Sequence, residues 1–182
     1  IAAYANYWRD QSKVELQHRT DRGGNGDVRV VSLRILDGSG CETKSIKMGD
    51  SFVVELQTVG SLDGAIIGVL LGTPYRQQMI RGYTWENLSG QVTLVEEDTV
   101  RCRFDRFPMM HGAYDIHIWI GQRLGDQQAL VDFVEYAATL TVEPWDLYGN
   151  GRVLDPHGGV AFCKVNWEIV PAVAPECQRT SN

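Results

Sequence analysis

Apolar and polar residues alternate with a period of two through most of the chain, the repeat that sends successive side chains to opposite faces of a strand. The clearest run is Gly112-Ala-Tyr-Asp-Ile-His-Ile-Trp-Ile-Gly121. It sets Tyr114, Ile116, Ile118 and Ile120 on one face and Asp115, His117 and Trp119 on the other. Residues 28–36 alternate in part, with Val31, Leu33 and Ile35 opposed to Ser32 and Arg34, and Asp37-Gly-Ser-Gly40 closes them as a turn. After the turn signal Met48-Gly-Asp50, Phe52, Val54 and Leu56 alternate with Val53, Glu55 and Gln57. Residues 65–72 are apolar on both faces, which predicts a central strand covered on both sides, with Gly68 and Gly72 permitting close approach of a neighbour.

Further along, residues 92–95 predict a short strand, and residues 99–107 alternate Val100, Cys102 and Phe104 inward against Arg101, Arg103 and Asp105 outward. Val134, Tyr136, Ala138, Leu140 and Val142 keep period two in 131–142, a strand expected to form a hairpin with 112–121. A last strand is expected over 160–170, through Cys163, Val165 and Trp167. Short strands separated by turns, with no helical pattern in the core, predict an all-β, antiparallel two-sheet β-sandwich, immunoglobulin-like or jelly-roll-like, with a barrel as the other arrangement. Residues 1–26 read as a lead-in or linker. Tyr4, Tyr7, Trp8 and Gln11 share one face of a short helix, and Arg19-Thr-Asp-Arg-Gly-Gly-Asn-Gly26 has the mixed charge and glycine of a flexible connector. The domain boundary is expected near Asp27, and residues 171–182 are expected to form a loose tail.

At 182 residues the chain is long enough for one domain with a substantial core. Opening on Ile1, it is expected to be a fragment or a processed product. No apolar run is long enough for a membrane helix, and no secretory signal pattern opens the chain. The net charge of −6 and the lack of a clustered Lys/Arg surface argue against nucleic acid as a partner. Cys41, Cys102, Cys163 and Cys177 are too spread for a disulfide framework and predict reduced, structural thiols of a cytosolic protein.

Catalytic patterns are missing. His18, His111, His117 and His157 lack metal-ligand spacing, no nucleophile elbow or phosphate-binding loop is present, and adjacent acids such as Glu96-Glu97 read as a solvated turn. No catalytic residue, metal or cofactor is therefore expected. Binding is better supported, because an acid, an imidazole and an indole in a row suit a ligand with apolar ring faces and polar edges, such as a sugar. Stacking a pyranose on Trp119 is worth roughly 1–3 kcal/mol, and each hydroxyl held by Asp115 or His117 adds about 1 kcal/mol. After ordering costs, such sums predict weak binding. The polar and aromatic stretch 75–85 adds Tyr75, Arg81, Tyr83 and Trp85 as candidates, either lining that surface or packing one end of the domain. A dimer partner or the N-terminal segment covering Trp119 and His117 is the competing reading.

The stretch 27–169 resembles the C-terminal domain of Wzt-type proteins, the ATPase subunits of ABC transporters that export O-antigen polysaccharide. The resemblance is carried by Gly26-Asp-Val-Arg-Val-Val-Ser-Leu-Arg-Ile-Leu-Asp37, by Met48-Gly-Asp-Ser-Phe-Val-Val-Glu-Leu56 and by Phe107-Pro-Met-Met-His-Gly-Ala-Tyr-Asp-Ile-His-Ile118. Gly151-Arg-Val-Leu-Asp-Pro-His-Gly-Gly-Val160 with Asn166-Trp167 completes it. It implies a non-catalytic sandwich that binds O-antigen polysaccharide, at its finished non-reducing end, in the cytoplasm at the inner face of the inner membrane. The implied partners are the ATP-binding domain of the same full-length chain, the transporter's membrane subunit indirectly, and a second copy in a homodimer formed by exchange of the last strand (160–170). A protein-interaction or dimerisation module without glycan binding is the alternative.

Overall fold

The computed structural model describes residues 15–73, 78–88, 92–155 and 159–162. The expected short helix over Tyr4–Gln11, Cys163, Cys177, most of the expected last strand and the expected tail lie outside these residues.

The alternating runs form two sheets with one core between them. The smaller holds β1 (Arg29–Asp37), β3 (Phe52–Val59) and β7 (Thr99–Phe104) in the order β1-β3-β7, antiparallel throughout. The larger holds β2 (Ser45–Lys47), β4 (Leu62–Gly72), β5 (Gln78–Tyr83), β8 (Gly112–Leu124) and β9 (Gln127–Glu143) in the order β2-β9-β8-β4-β5, with β6 (Val92–Leu94) on the first part of β4. A short helix, α1 (Thr84–Asn87), follows β5 directly. The architecture is the all-β sandwich expected from the period-two pattern. β2 was not expected: it offers a single buried side chain, Ile46, and joins β9 in the sandwich's one parallel pairing among the described strands.

The inner faces are those the alternation marks. Phe52, Val54 and Leu56 from β3, Ile67, Val69 and Leu71 from β4, and Ile116, Ile118 and Ile120 from β8 all enter the core. At one end Phe52 stacks on Phe104 at 4.8 Å, and Phe107 meets Phe52 and Tyr114 edge-on at 5.2 and 5.7 Å. Offset and edge-on pairs of this kind satisfy the ring quadrupoles while burying large apolar area. Tyr114, at the edge of this cluster, donates its hydroxyl to the Met110 carbonyl at 2.7 Å, so its polar tip is buried with a partner.

Two parities differ from expectation, both because of bulges. In β1 the pairing steps from Val30↔Thr58 to Ser32↔Gln57, so Val31 is the extra residue. Val30 is core, Val31 is not, and the phase recovers for Ile35. In β9 the pairing jumps from Ile116↔Ala138 to Ile118↔Val134, which sets Glu135, Tyr136 and Ala137 opposite the single residue His117. Tyr136 takes a left-handed φ of 52° there. Its ring leaves the inner face shared by Val134 and Leu140 and packs edge-on against His117, 4.9 Å away, on the outer face of the sheet.

The run 19–26, expected as a flexible connector, lies against the outer edge of β9. Gly23 and Phe133 exchange both backbone hydrogen bonds, at 3.0 and 2.9 Å, and the amides of Asn25 and Gly26 donate to Leu130 and Val131. Just before it, Leu16 sits in the core.

Candidate functional site

Residue pairing fixes where each candidate side chain stands. A single rung crosses the large sheet in hydrogen-bonded register: Gly23 beside Phe133, Phe133 beside Trp119, Trp119 beside Gly68, and Gly68 beside Tyr83. Paired residues of an antiparallel sheet share a face. Trp119 lies in strand parity opposite to the core residues Ile118 and Ile120, so Phe133, Trp119 and Tyr83 share the outer face. Tyr83 meets Trp119 edge-on at 5.8 Å and an interplanar angle of 84°, and Trp85 at 5.1 Å. Trp85 stands on α1 and is 45% exposed. The guanidinium of Arg81 lies 5.6 Å from the centroid of Tyr83, and it also pairs loosely, at 3.7 Å, with Glu86. The Tyr83 amide donates to the Glu86 carboxylate at 3.2 Å, which ties the start of α1 back to the end of β5 and holds Trp85 beside the sheet.

Trp119, Tyr83, Trp85 and Arg81 thus come together in one strip, although Trp119 is separated from the others by more than thirty positions in the chain. Asp115 and His117 do not join it as open groups. Their parity is outward, as expected, but Asp115 is 1% and His117 4% exposed. The bulge in β9 is the cause at His117: Tyr136 closes over the ring, and its amide donates to His117 Nδ1 at 3.2 Å. Thr139 donates its hydroxyl to Asp115 at 3.0 Å. The expectation that Asp115, His117 and Trp119 present one open row is corrected to Trp119 alone, with the two polar groups bonded into the β8–β9 pairing. Tyr75 lies outside the described residues.

Phe133 was missed. It is half-buried and directly beside Trp119. Its signal was the hairpin expected between residues 112–121 and 131–142, because a fixed register names the neighbour of each ring; the bulges hid that register.

The chemistry available to this face is contact and hydrogen bonding. Among the described residues no three His, Cys, Asp or Glu side chains converge to hold a metal. Cys102, which faces a cleft of about 290 Å³ at the open edge of the sandwich with Ile67, Val69, Leu88 and Val100, is pushed up to about 11 by burial. It therefore stays a thiol at neutral pH, and the thiolate is the nucleophilic form. Cys41, the other described cysteine, is also free, and it is exposed.

These features define an all-β, two-sheet sandwich domain whose larger sheet carries a partly exposed aromatic strip on its outer face. The chain belongs to the Wzt C-terminal domain family, whose model matches residues 19–155. The matched span begins at the first residue of the run that clasps β9. Among solved structures, the crystal structure of the C-terminal domain of wzt is similar over 84% of this chain and 90% of that one, with a TM-score of 0.67 at 14% sequence identity. At that identity the likeness speaks to fold. No curated protein matches the chain. No helix among the described residues is long and apolar enough to cross a membrane.

Proposed function

We propose that this domain binds O-antigen polysaccharide without catalysis, recognising its finished non-reducing end for export by an ABC transporter. The observation that carries the reading is the strip of Trp119, Tyr83 and Trp85 with Arg81 at its border. Aromatic faces take the apolar C–H faces of a pyranose, and the Arg81 guanidinium and Glu86 carboxylate are placed to hold hydroxyls at its edge. Asp115 and His117, on the same face but bonded to Thr139 and Tyr136 of β9, support the strand that carries Trp119. Family membership supports the same assignment. In this reading the domain works in the cytoplasm, joined to the ATP-binding domain of its full-length chain and, through it, to the transporter's membrane subunit.

Titration with the O-polysaccharide released from lipopolysaccharide of the strain that carries the gene tests the reading. Loss of one stacking ring in Trp119→Ala or Trp85→Ala is expected to weaken binding by about tenfold, the equivalent of the stacking energy of one ring. Affinity unchanged in both variants would remove the strip from the site.

A second copy of the chain is the other proposed partner, through exchange of residues 160–170. Val160 and Phe162 bond to Met110 and Pro108 of the same chain, at 3.2 and 2.8 Å, and Ala161 bridges Met109; exchange would pass this antiparallel pairing to a second copy. Sedimentation of the protein with and without residues 160–182 tests it. A dimer that persists after truncation would overturn strand exchange. Dimer loss with glycan binding retained would separate assembly from recognition.

A further inference from the structure

Two glycines interrupt the outer face of the large sheet where strand interiors ordinarily carry side chains. Gly68 on β4 and Gly121 on β8 both have backbone outside the left-handed region, so their conformation is open to any residue. Glycine in the middle of a strand costs about 0.5–1 kcal/mol relative to alanine, and at these two positions the backbone gives no reason for it. What excludes a side chain is in each case an aromatic ring. A Cβ on Gly121 would lie 2.1 Å from Cη2 of Trp119, and 2.6 and 2.8 Å from its Cζ2 and Cζ3. A Cβ on Gly68 would lie 2.4 Å from Cε1 and 2.7 Å from Cδ1 of Tyr83. The three nearest atoms at both positions are ring carbons, and none belongs to the backbone.

Gly24 and Gly60 show the contrast. They have φ of +105° and +107°, and a Cβ there would lie 2.3 Å from the backbone oxygens of Val131 and Asp27, respectively. Those two glycines serve the chain path. Gly68 and Gly121 serve the rings. Gly68 also occupies the rung between Trp119 and Tyr83, so its missing side chain is the gap across which the two rings meet.

We propose that Gly68 and Gly121 are positioning residues of the glycan site: they leave the floor on which Tyr83 and Trp119 rest, and a methyl group at either lifts a ring out of the strip while the sheet stays intact. The inference rests on the reading of that strip as a glycan surface. It adds that affinity is set by the residues under the rings as well as by the rings.

The test uses Gly121→Ala, Gly68→Ala, Trp119→Ala and the double variant Trp119→Ala/Gly121→Ala, with the same released O-polysaccharide as probe. The Trp119 indole N–H signal in a nitrogen–proton NMR spectrum, assigned by its loss in Trp119→Ala, reports ring placement independently of binding. Gly121→Ala is expected to unfold cooperatively, to shift the indole signal and to weaken binding by about tenfold, as removal of the ring does. In the Trp119→Ala background the same substitution is expected to have no further effect on affinity, which a general disturbance of the sheet would not reproduce. Gly68→Ala is expected to weaken binding through Tyr83. Affinity unchanged in both glycine variants, with binding lost in Trp119→Ala, would overturn the positioning role and leave the glycan reading standing. Failure of both glycine variants to fold would also overturn it, since the proposal requires that these glycines serve the rings and not the sheet. Unchanged affinity in Trp119→Ala would remove the glycan reading itself, and the positioning role with it.

Discussion

Glu55 shows how far a single residue's surroundings can depart from its place in a pattern. Its parity on β3 is outward, yet it is 5% exposed, because the register sets it between Arg34 on β1 and Arg101 on β7. Arg34 Nε donates to one carboxylate oxygen at 3.0 Å and Arg101 Nε to the other at 2.7 Å. The two arginine side chains remain more than half exposed and spread over the acid as a roof. Hydrogen bonding from Arg34, then from Arg101, holds the Glu55 carboxyl below the ordinary carboxylate value. A carboxyl that is easier to ionise in the folded state stabilises that state when charged. The contribution is therefore present at neutral pH and is lost as the pH falls below the ordinary value of 4.5 and through the lowered folded one. Urea midpoints measured from neutral to acid pH are expected to be lower for Glu55→Gln than for the wild type at pH 7, and to converge in acid. A constant gap across the series would show that the charge is not the source.

At the scale of the element, β9 carries the main surprise. Its bulge turns Tyr136 outward, covers His117 and narrows how much of the outer face of β8 is open. The buried Tyr136 amide has His117 Nδ1 as acceptor, so His117→Ala removes a bond inside the protein, where a donor left without a partner costs about 1–3 kcal/mol. Equilibrium urea unfolding is expected to show that loss, while binding of the O-polysaccharide persists, because the side chain removed is closed over by Tyr136 beside the strip. Loss of binding with stability unchanged would return His117 to the ligand. The same bulge explains what could be read in advance. Strands β1, β3, β7, β8 and β9 were legible because each repeats an apolar residue every second position, and β4 because it is apolar on both faces; the outward parity of Trp119 followed directly. The bulges at Val31 and Tyr136 were not, since an extra residue is defined by the partner strand and leaves the local alternation almost intact. β2 is three residues long and has no period to detect. The strip itself was half legible: Trp119, Tyr83, Trp85 and Arg81 were named from residue chemistry, but their meeting depends on β4 lying between β8 and β5, a non-local pairing.

For the whole molecule, the run 19–26 decides where the domain starts to be held together. Its glycines and mixed charges are the composition of a linker, but each charge has found a fixed partner. Arg19 donates to the carbonyls of Glu135 and Tyr136 at 2.7 and 2.9 Å, bracing the β9 bulge, and pairs with Asp21. Arg22 donates to Asp132, and to the carbonyls of Leu16 and Val30 at 2.9 Å each; the Asp132 carboxylate also accepts the Val30 amide at 2.9 Å. One buried acid on β9 therefore joins the lead-in run, the start of β1 and the large sheet. Removing one member of a buried pair strands the other charge away from water, which costs about 3–5 kcal/mol, whereas replacing both with apolar groups of similar volume is close to neutral. Asp132→Ala is accordingly expected to lose about that much stability in urea unfolding, and Arg22→Met/Asp132→Leu to recover only part of it, since the stranded charge is gone but the Val30 amide and the Leu16 and Val30 carbonyls still lose their partners. Hydrogen exchange should locate the damage: in Asp132→Ala the amides of Gly23 and Gly26, which donate to Phe133 and Val131, are expected to lose protection before those of Ile116 and Ile118 in the core of β8. Protection lost uniformly would mean that the clasp and the sandwich unfold as one unit. Protection unchanged at Gly23 and Gly26 would mean that the glycine pairing with β9, and not the buried ion pair, holds the run in place.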